Sequence, residues 1–200
     1  MVDGGRICPS QQNEGDPREG LTESPGVIGE IYTLTDEEFT KVKAFARAVD
    51  DANKRDGLAG NGTYGIETTL AMNERGWLGE FACRKILGIP VGDEFFVVHP
   101  RRAADDNHDF SYRGKTFDSK SIRHRWHRLI VQEWKIRKHW PDGFALVMGD
   151  GWGPYSFRGF MAAGELFQPW RVKDLGYGRD FCADQEEMRE FDEIWKERSG

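Results

Sequence analysis

The stretch from His108 to Lys120 carries two aspartates and a lysine whose types and spacing could do chemistry. Arg113-Gly114 reads as a tight turn between two strands. With those two residues as the loop, Tyr112 faces Lys115, Phe110 faces Phe117, and Asp109 faces Asp118. Alternation then puts Asp109, Asp118 and Lys120 on one face of the hairpin, and Phe110 and Phe117 on the other. Directly opposed residues have Cβ atoms roughly 4.5–5.5 Å apart, where like charges repel. Two facing aspartates therefore call for a proton or a cation. A hard divalent ion such as Mg²⁺, with Mn²⁺ able to substitute, prefers carboxylate oxygens and keeps several waters. Lys120 adds a positive charge that can stabilise developing phosphate charge or position a water. Together these are the parts that phosphodiester hydrolysis requires. A surface hairpin with a lysine salt bridge fits the same letters, and both readings stand on these residues alone.

The charge distribution bears on the choice. The formal net charge is −6, which is wrong for a nucleic-acid binder until it is divided along the chain. From His99 to Trp140 there are eleven Lys and Arg against five Asp and Glu, while the rest holds 17 basic and 29 acidic residues. All five histidines, together with Trp126, Trp134 and Trp140, lie in that basic stretch. A basic, aromatic-rich segment in an acidic chain suggests a phosphate-facing surface, with Arg113, Lys115, Arg123, Arg125 and Arg128 as its candidates. Acidic neighbours folded over a solvated face would explain it equally well.

The elements that must position these groups follow from periodicity. Residues 1–30 are polar and rich in Gly, Glu and Pro, which predicts a mobile tail. Thr35-Asp-Glu-Glu38 is a capping box opening a helix with Phe39, Val42, Phe45, Ala46 and Val49 on one face. A Gly-rich loop follows to residue 65, then a second helix over 67–87 containing Gly76, Gly79 and Glu80. Each of these glycines costs a helix about 1 kcal/mol against Ala, which is tolerated where another backbone must come close. Strands are predicted over 93–99, 108–112, 115–122, 144–148 and 155–160. A helix is expected in the basic stretch, a short one over 162–167, and an acidic one over 184–198.

Other motifs carry less. His124 and His127, at i and i+3, lack an evident third metal ligand. Gly149-Asp-Gly-Trp-Gly153 lacks the Lys and Ser/Thr of a phosphate-binding loop. Cys8, Cys83 and Cys182 have no zinc or redox spacing, which is the pattern of reduced thiols in a cytoplasmic protein. There is no apolar run of membrane-spanning length and no signal-peptide pattern at the N-terminus, so no membrane partner is expected.

On these residues the chain resembles the PD-(D/E)xK nuclease superfamily, which includes restriction enzymes, Holliday-junction resolvases and phage exonucleases. The resemblance rests on Gly79-Glu80 in a helix, Asp109, and Phe117-Asp-Ser-Lys120, and covers about residues 66–170. His108 stands where the family's proline would precede Asp109, and Glu67 or Glu74 could compete with Glu80. What the resemblance implies is a restriction-endonuclease-like core, with Asp109, Asp118, Glu80 and the Ser119 carbonyl holding Mg²⁺ and Lys120 catalytic.

The expected fold class is α/β, with a mixed central β-sheet flanked by helices. The expected organisation is a tail (1–30), a helix and loop (31–65), a nuclease-like core (66–170) and an acidic extension packed on it (171–200). The leading functional expectation is a Mg²⁺-dependent DNA endonuclease or exonuclease, of the kind phages and other mobile elements carry. RNA is the alternative substrate, and a homodimer is compatible with the sequence. A non-catalytic nucleic-acid-binding or protein-interaction module keeping the same fold is the competing expectation.

Overall fold

A computed structural model describes residues 27–57, 69–98, 108–133, 140–176 and 178–195. Most of the expected tail, the loop at 58–68 and the basic residues at 99–107 and 134–139 lie outside them. The structure is mixed α/β. A five-stranded sheet runs in the order β1 (Ile31–Tyr32), β6 (Tyr155–Ala162), β5 (Gly143–Met148), β3 (Lys115–Ile122), β2 (Phe110–Tyr112). Only β3 and β5 pair in parallel; the other neighbours are antiparallel. Helices α1 (Asp36–Arg55) and α2 (Thr69–Ile86) cover one face. The other face carries a small antiparallel sheet, β4 (Leu129–Gln132), β8 (Arg179–Ala183) and β7 (Val172–Asp174), with the short helix α3 (Ala163–Leu166).

The sequence pattern explains why the large sheet is buried on both sides. In β5, Ala145 and Val147 point into the helix-side core, while Phe144 and Leu146 point into the core shared with the second sheet. Such a strand is apolar throughout rather than alternating. In β6 the register shifts between Leu146 and Val147 of its partner, so Arg158 is an extra residue beside Gly159. That bulge lets Phe157 and Phe160, three residues apart, both enter the helix-side core.

The hairpin forms as its letters indicate. Phe110 pairs with Phe117, Ser111 with Thr116, and Tyr112 with Lys115. Arg113 (φ 47°) and Gly114 (φ 73°) both adopt the left-handed conformation of a type I′ turn. Helix α1 is capped as expected: the Glu38 N–H donates to Thr35 Oγ1 (3.2 Å), and the Thr35 N–H donates to Glu38 Oε2 (3.0 Å).

Four expectations are corrected. Residues 93–96 form a 3-10 turn, not a strand. Phe95 and Phe96 both pack on Phe45 of α1, at 5.9 and 5.8 Å between ring centroids, and strand alternation would send one of them away. Within the described part of the basic stretch, β4 replaces the helix, because Leu129 and Val131 are buried while Ile130 is exposed. The acidic end is not one helix but a 3-10 turn (Gln185–Glu187) and α4 (Phe191–Ile194). Between them Arg189 exchanges both backbone hydrogen bonds with Phe160, at 2.8 and 2.9 Å, which removes the groups a helix would use. Finally, residues 27–30 are held: the Gly29 N–H donates to the Phe157 carbonyl and the Phe157 N–H to the Glu30 carbonyl, each at 2.8 Å. β7 and β8, which periodicity does not announce, make the 171–200 segment part of the second sheet.

Helix α2 crosses β3 closely at Gly79, where a Cβ would stand 2.4 Å from Ser121 Cβ. At Gly76 a Cβ would meet nothing within 4 Å. Gly79→Ala should therefore destabilise the fold by about 1–3 kcal/mol despite alanine's better helix propensity. Gly76→Ala should stabilise it by up to about 1 kcal/mol. Urea denaturation of the two variants reads the contrast directly, and equal effects would mean that the helix does not approach the strand there.

Candidate functional site

Strand β2 begins at Phe110, so beyond Phe117 strand β3 has a hydrogen-bonded neighbour on one side only. The open edge is taken up by side chains. The Ser119 N–H, which has no strand partner on that side, donates to Asp109 Oδ2 (2.7 Å). The Asp109 N–H donates to the Phe117 carbonyl (2.8 Å), holding Asp109 against the strand just outside β2. Asp118 and Lys120 alternate onto the face of the second sheet. There the Lys120 ammonium sits 6.0 Å from the Phe144 ring centroid and is hydrogen-bonded to Asp118 Oδ2. It also donates to the Ser119 carbonyl (3.3 Å).

Glu80 arrives from α2. It follows Gly79, so the close crossing at Ser121 carries it to the same edge. It is only 8% exposed. Arg84, one turn on, donates to Glu80 Oε1 through Nε (3.1 Å) and Nη2 (2.9 Å), and to the Asp109 backbone carbonyl as well. Arg84 thus ties the helix to the hairpin. Sequence reasoning missed it, although Glu and Arg at i and i+4 on one helix face are a readable pair. Glu74 is turned the other way, towards Lys43 (3.1 Å) and Arg47 (3.2 Å) of α1. Glu67 lies outside the described residues.

Glu80, Asp109, Asp118 and Lys120 are therefore brought together, and Glu80 and Asp109 both feel the Asp118 and Lys120 charges. Burial, reinforced by the Asp118 charge and opposed by Arg84, pushes the Glu80 carboxyl up to about 7. Burial holds the Asp109 carboxyl well above the usual range, with further push from the Asp118 and Glu80 charges and a hydrogen bond between the two aspartate carboxyls. The nearby Cys83 thiol is fully buried beside Ser119 and pushed up by that burial. As the side chains stand, no group of three His, Cys, Asp or Glu among the described residues is spaced to hold a metal ion. Arg84 and Lys120 occupy the oxygens instead. The donor chemistry nevertheless suits a hard cation: three oxygen-bearing acids crowd one edge, and two have their proton held by burial and mutual repulsion.

Beyond Lys120 the site opens into a cleft of about 430 Å³ lined by Arg75, Lys120, Arg123, Trp126, His127 and Arg128 among others. Arg125 is exposed in the same loop. Arg113 and Lys115 are at the other end of β3. Arg113 pairs with Asp192 (3.0 Å) and lies over the Phe191 ring, and Lys115 pairs with Asp142 (3.4 Å). Arg75, from α2, is a cleft residue that the linear charge count could not assign. His124 and His127 lie with ring centroids 5.0 Å apart and belong to no metal-spaced group. Among the described residues no helix is long and apolar enough to cross a membrane. Comparison of the chain with protein-family models, curated proteins and solved structures finds no match.

The carboxyl cluster makes stability depend on pH with a definite sign. Glu80 binds its proton more tightly in the folded chain than its ordinary value of 4.5. Between about 4.5 and about 7 the folded state therefore holds more protons than the unfolded one, and stability falls as pH rises through that window. Asp109 acts in the same direction. In EDTA, urea denaturation should show a loss of a few kcal/mol from pH 5 to pH 8, and Glu80→Gln should flatten most of it. Adding Mn²⁺ at pH 8 should recover stability in the parent chain by mass action. A flat parent profile would mean that the cluster does not hold protons against solvent.

Proposed function

We propose that this chain is a metal-dependent nuclease with a restriction-endonuclease-like core that hydrolyses phosphodiester bonds, with DNA as its substrate. The observation that supports this reading best is the convergence of Glu80, Asp109, Asp118 and Lys120 at the open edge of β3, beside a cationic cleft. In this reading Asp109 and Asp118, with Glu80 and the Ser119 carbonyl, would hold Mg²⁺ or Mn²⁺. The ion supplies Lewis-acid polarisation of a phosphoryl oxygen and a more acidic water.

The chain's own residues do the rest. Lys120 lies where Asp118, the Ser119 carbonyl and the cleft meet, placed to steady the extra negative charge of a pentavalent phosphate. Arg84 orients Glu80 and holds the Asp109 backbone, so the acids keep their positions when protons leave. The cleft arginines bind flanking phosphates and set the register of the strand. Phe144 lies beneath Lys120, and both it and Phe117 are buried, so β3 is packed on both faces.

A second reading is favoured by one observation. Arg84 already pairs with Glu80 and Lys120 with Asp118, which suits a nucleic-acid-binding module that keeps the arrangement without cutting. Incubation of plasmid, linear duplex and single strands with Mg²⁺, Mn²⁺ or EDTA separates the two. The nuclease reading expects cleavage that EDTA stops. Lys120→Ala should lower the rate by about 10²–10³-fold while metal and nucleic-acid binding persist. Asp118→Asn should lose metal binding and cleavage together. A folded Lys120→Ala variant cutting at the parent rate would move the site elsewhere, and binding without cleavage under any divalent ion would establish the second reading.

A further inference from the structure

The cleft beside Lys120 holds an aromatic ring where a duplex-binding surface has no use for one. Trp126 is 71% exposed. Leaving an indole in water forgoes apolar burial that most large aromatic side chains obtain. This indole is nonetheless held in place. One ring face stacks on His124 at 4.4 Å and 15°, and the His127 ring stands perpendicular to it at 6.1 Å and 89°. With both histidines beside it, the residue still keeps 71% of its surface open to solvent.

The loop that carries it is braced from the second sheet. Buried Gln185 donates through Nε2 to the carbonyls of His124 (3.1 Å) and His127 (2.8 Å). The His127 N–H closes the turn onto the His124 carbonyl (2.9 Å), and Arg128 pairs with Asp184 at 2.5 Å. A solvent-facing ring on a braced turn is a preformed platform.

Cations surround it. Arg75, Lys120, Arg123 and Arg128 line the cleft, and among the described residues no acidic side chain does. Their charge is felt inside: after burial, the charges of His124, Arg123 and Arg75 hold His127 below its usual value. A cleft of about 430 Å³ also falls within the roughly 300–1,000 Å³ of sites that enclose a small ligand. Base pairs in an intact duplex are stacked on both faces and offer nothing to an indole, whereas every unpaired base has a free face.

We propose that this cleft seats an unpaired nucleotide, with its base stacked on Trp126 and its phosphates on Arg75, Arg123 and Arg128, so that the chain acts on single-stranded nucleic acid. This deepens the nuclease reading and rests on it for the claim that the seated strand is the one cut, since Lys120 lines the same cleft. The contact is to a ring face and to phosphates, so little base preference is expected.

The test is fluorescence anisotropy in EDTA with the full chain. The probes are a labelled oligothymidylate of about 12 nucleotides, its duplex, and the matching oligouridylate, a length within the usual span of single-strand sites. The single strands should bind at least tenfold more tightly than the duplex. Trp126→Ala, at an exposed position, should weaken single-strand binding by about 5- to 150-fold, the equivalent of one stacked base, and leave duplex binding unchanged. Trp126→Phe should restore most of the affinity. The two single-stranded probes decide between DNA and RNA as the source. Duplex binding as tight as single-strand binding, or an unaltered Trp126→Ala variant, overturns the proposal. Cleavage assays with Mn²⁺ keep the two readings apart. Trp126-dependent binding without any cleavage supports the single-strand seat and removes the nuclease. Duplex cleavage that Trp126→Ala does not change keeps the nuclease and removes the seat.

Discussion

The geometry of the site depends on how closely α2 lies on β3. Gly79 has no side chain, and Ser121 is the smallest hydroxyl residue, so the helix backbone can settle where a Cβ would collide at 2.4 Å. A helix held further out would carry Glu80 away from the strand and leave Arg84 short of the Asp109 carbonyl. The packing around the contact keeps it closed. Leu78, Phe81, Ala82 and Ile86 of α2 are buried against the sheet and α1. Close-packed interiors have low compressibility and transmit strain, so this crossing sets the site's dimensions.

The second constraint is the early end of the hairpin. Strand β2 covers only the turn-proximal part of β3 and stops pairing where the acids begin. Backbone N–H groups left without a neighbour must find a partner, and the Asp109 carboxylate is that partner for Ser119. An acid recruited for backbone satisfaction is thereby fixed beside Asp118, where repulsion and burial make it hold its proton. Structural need and chemical potential share one side chain. The two cations nearest the cluster, Arg84 and Lys120, offset that repulsion from opposite sides of the sheet: Arg84 from the helix layer, Lys120 from the layer of the second sheet.

That second sheet has a role besides covering the apolar face of β5. Its strand β4 returns from the turn at residues 123–128, and Gln185, which follows β8, fastens that turn through two carbonyls. The cationic and aromatic residues after β3 are consequently displayed on a rigid edge next to Lys120. Part of the acidic remainder folds back onto the basic segment: Asp150, Asp184, Asp142 and Asp192 each meet a basic residue there.

The hairpin register, the capped first helix and the glycine before Glu80 were legible in the chain because each is a local rule. A type I′ turn accepts Arg-Gly, a capping box spans four residues, and strand alternation has a period of two. Those rules suffice to predict that Asp109, Asp118 and Lys120 sit near one another. They could not reveal that Phe95 and Phe96 point the same way, since that depends on the aromatic cluster of α1 and α2. Nor could they break the acidic C-terminal segment into a turn and a short helix, because its hydrogen bonds go to Phe160 on a distant strand. Arg113 and Lys115 looked like part of one basic surface, but an eight-residue strand carries them to the opposite end from Arg123 and Arg128. Local chemistry, set by the amino acids and their spacing, was determined by the sequence alone. Which charges share a cleft, which are cancelled and which ring is left in solvent were decided by tertiary structure, because burial and Coulomb energy depend on distances through space.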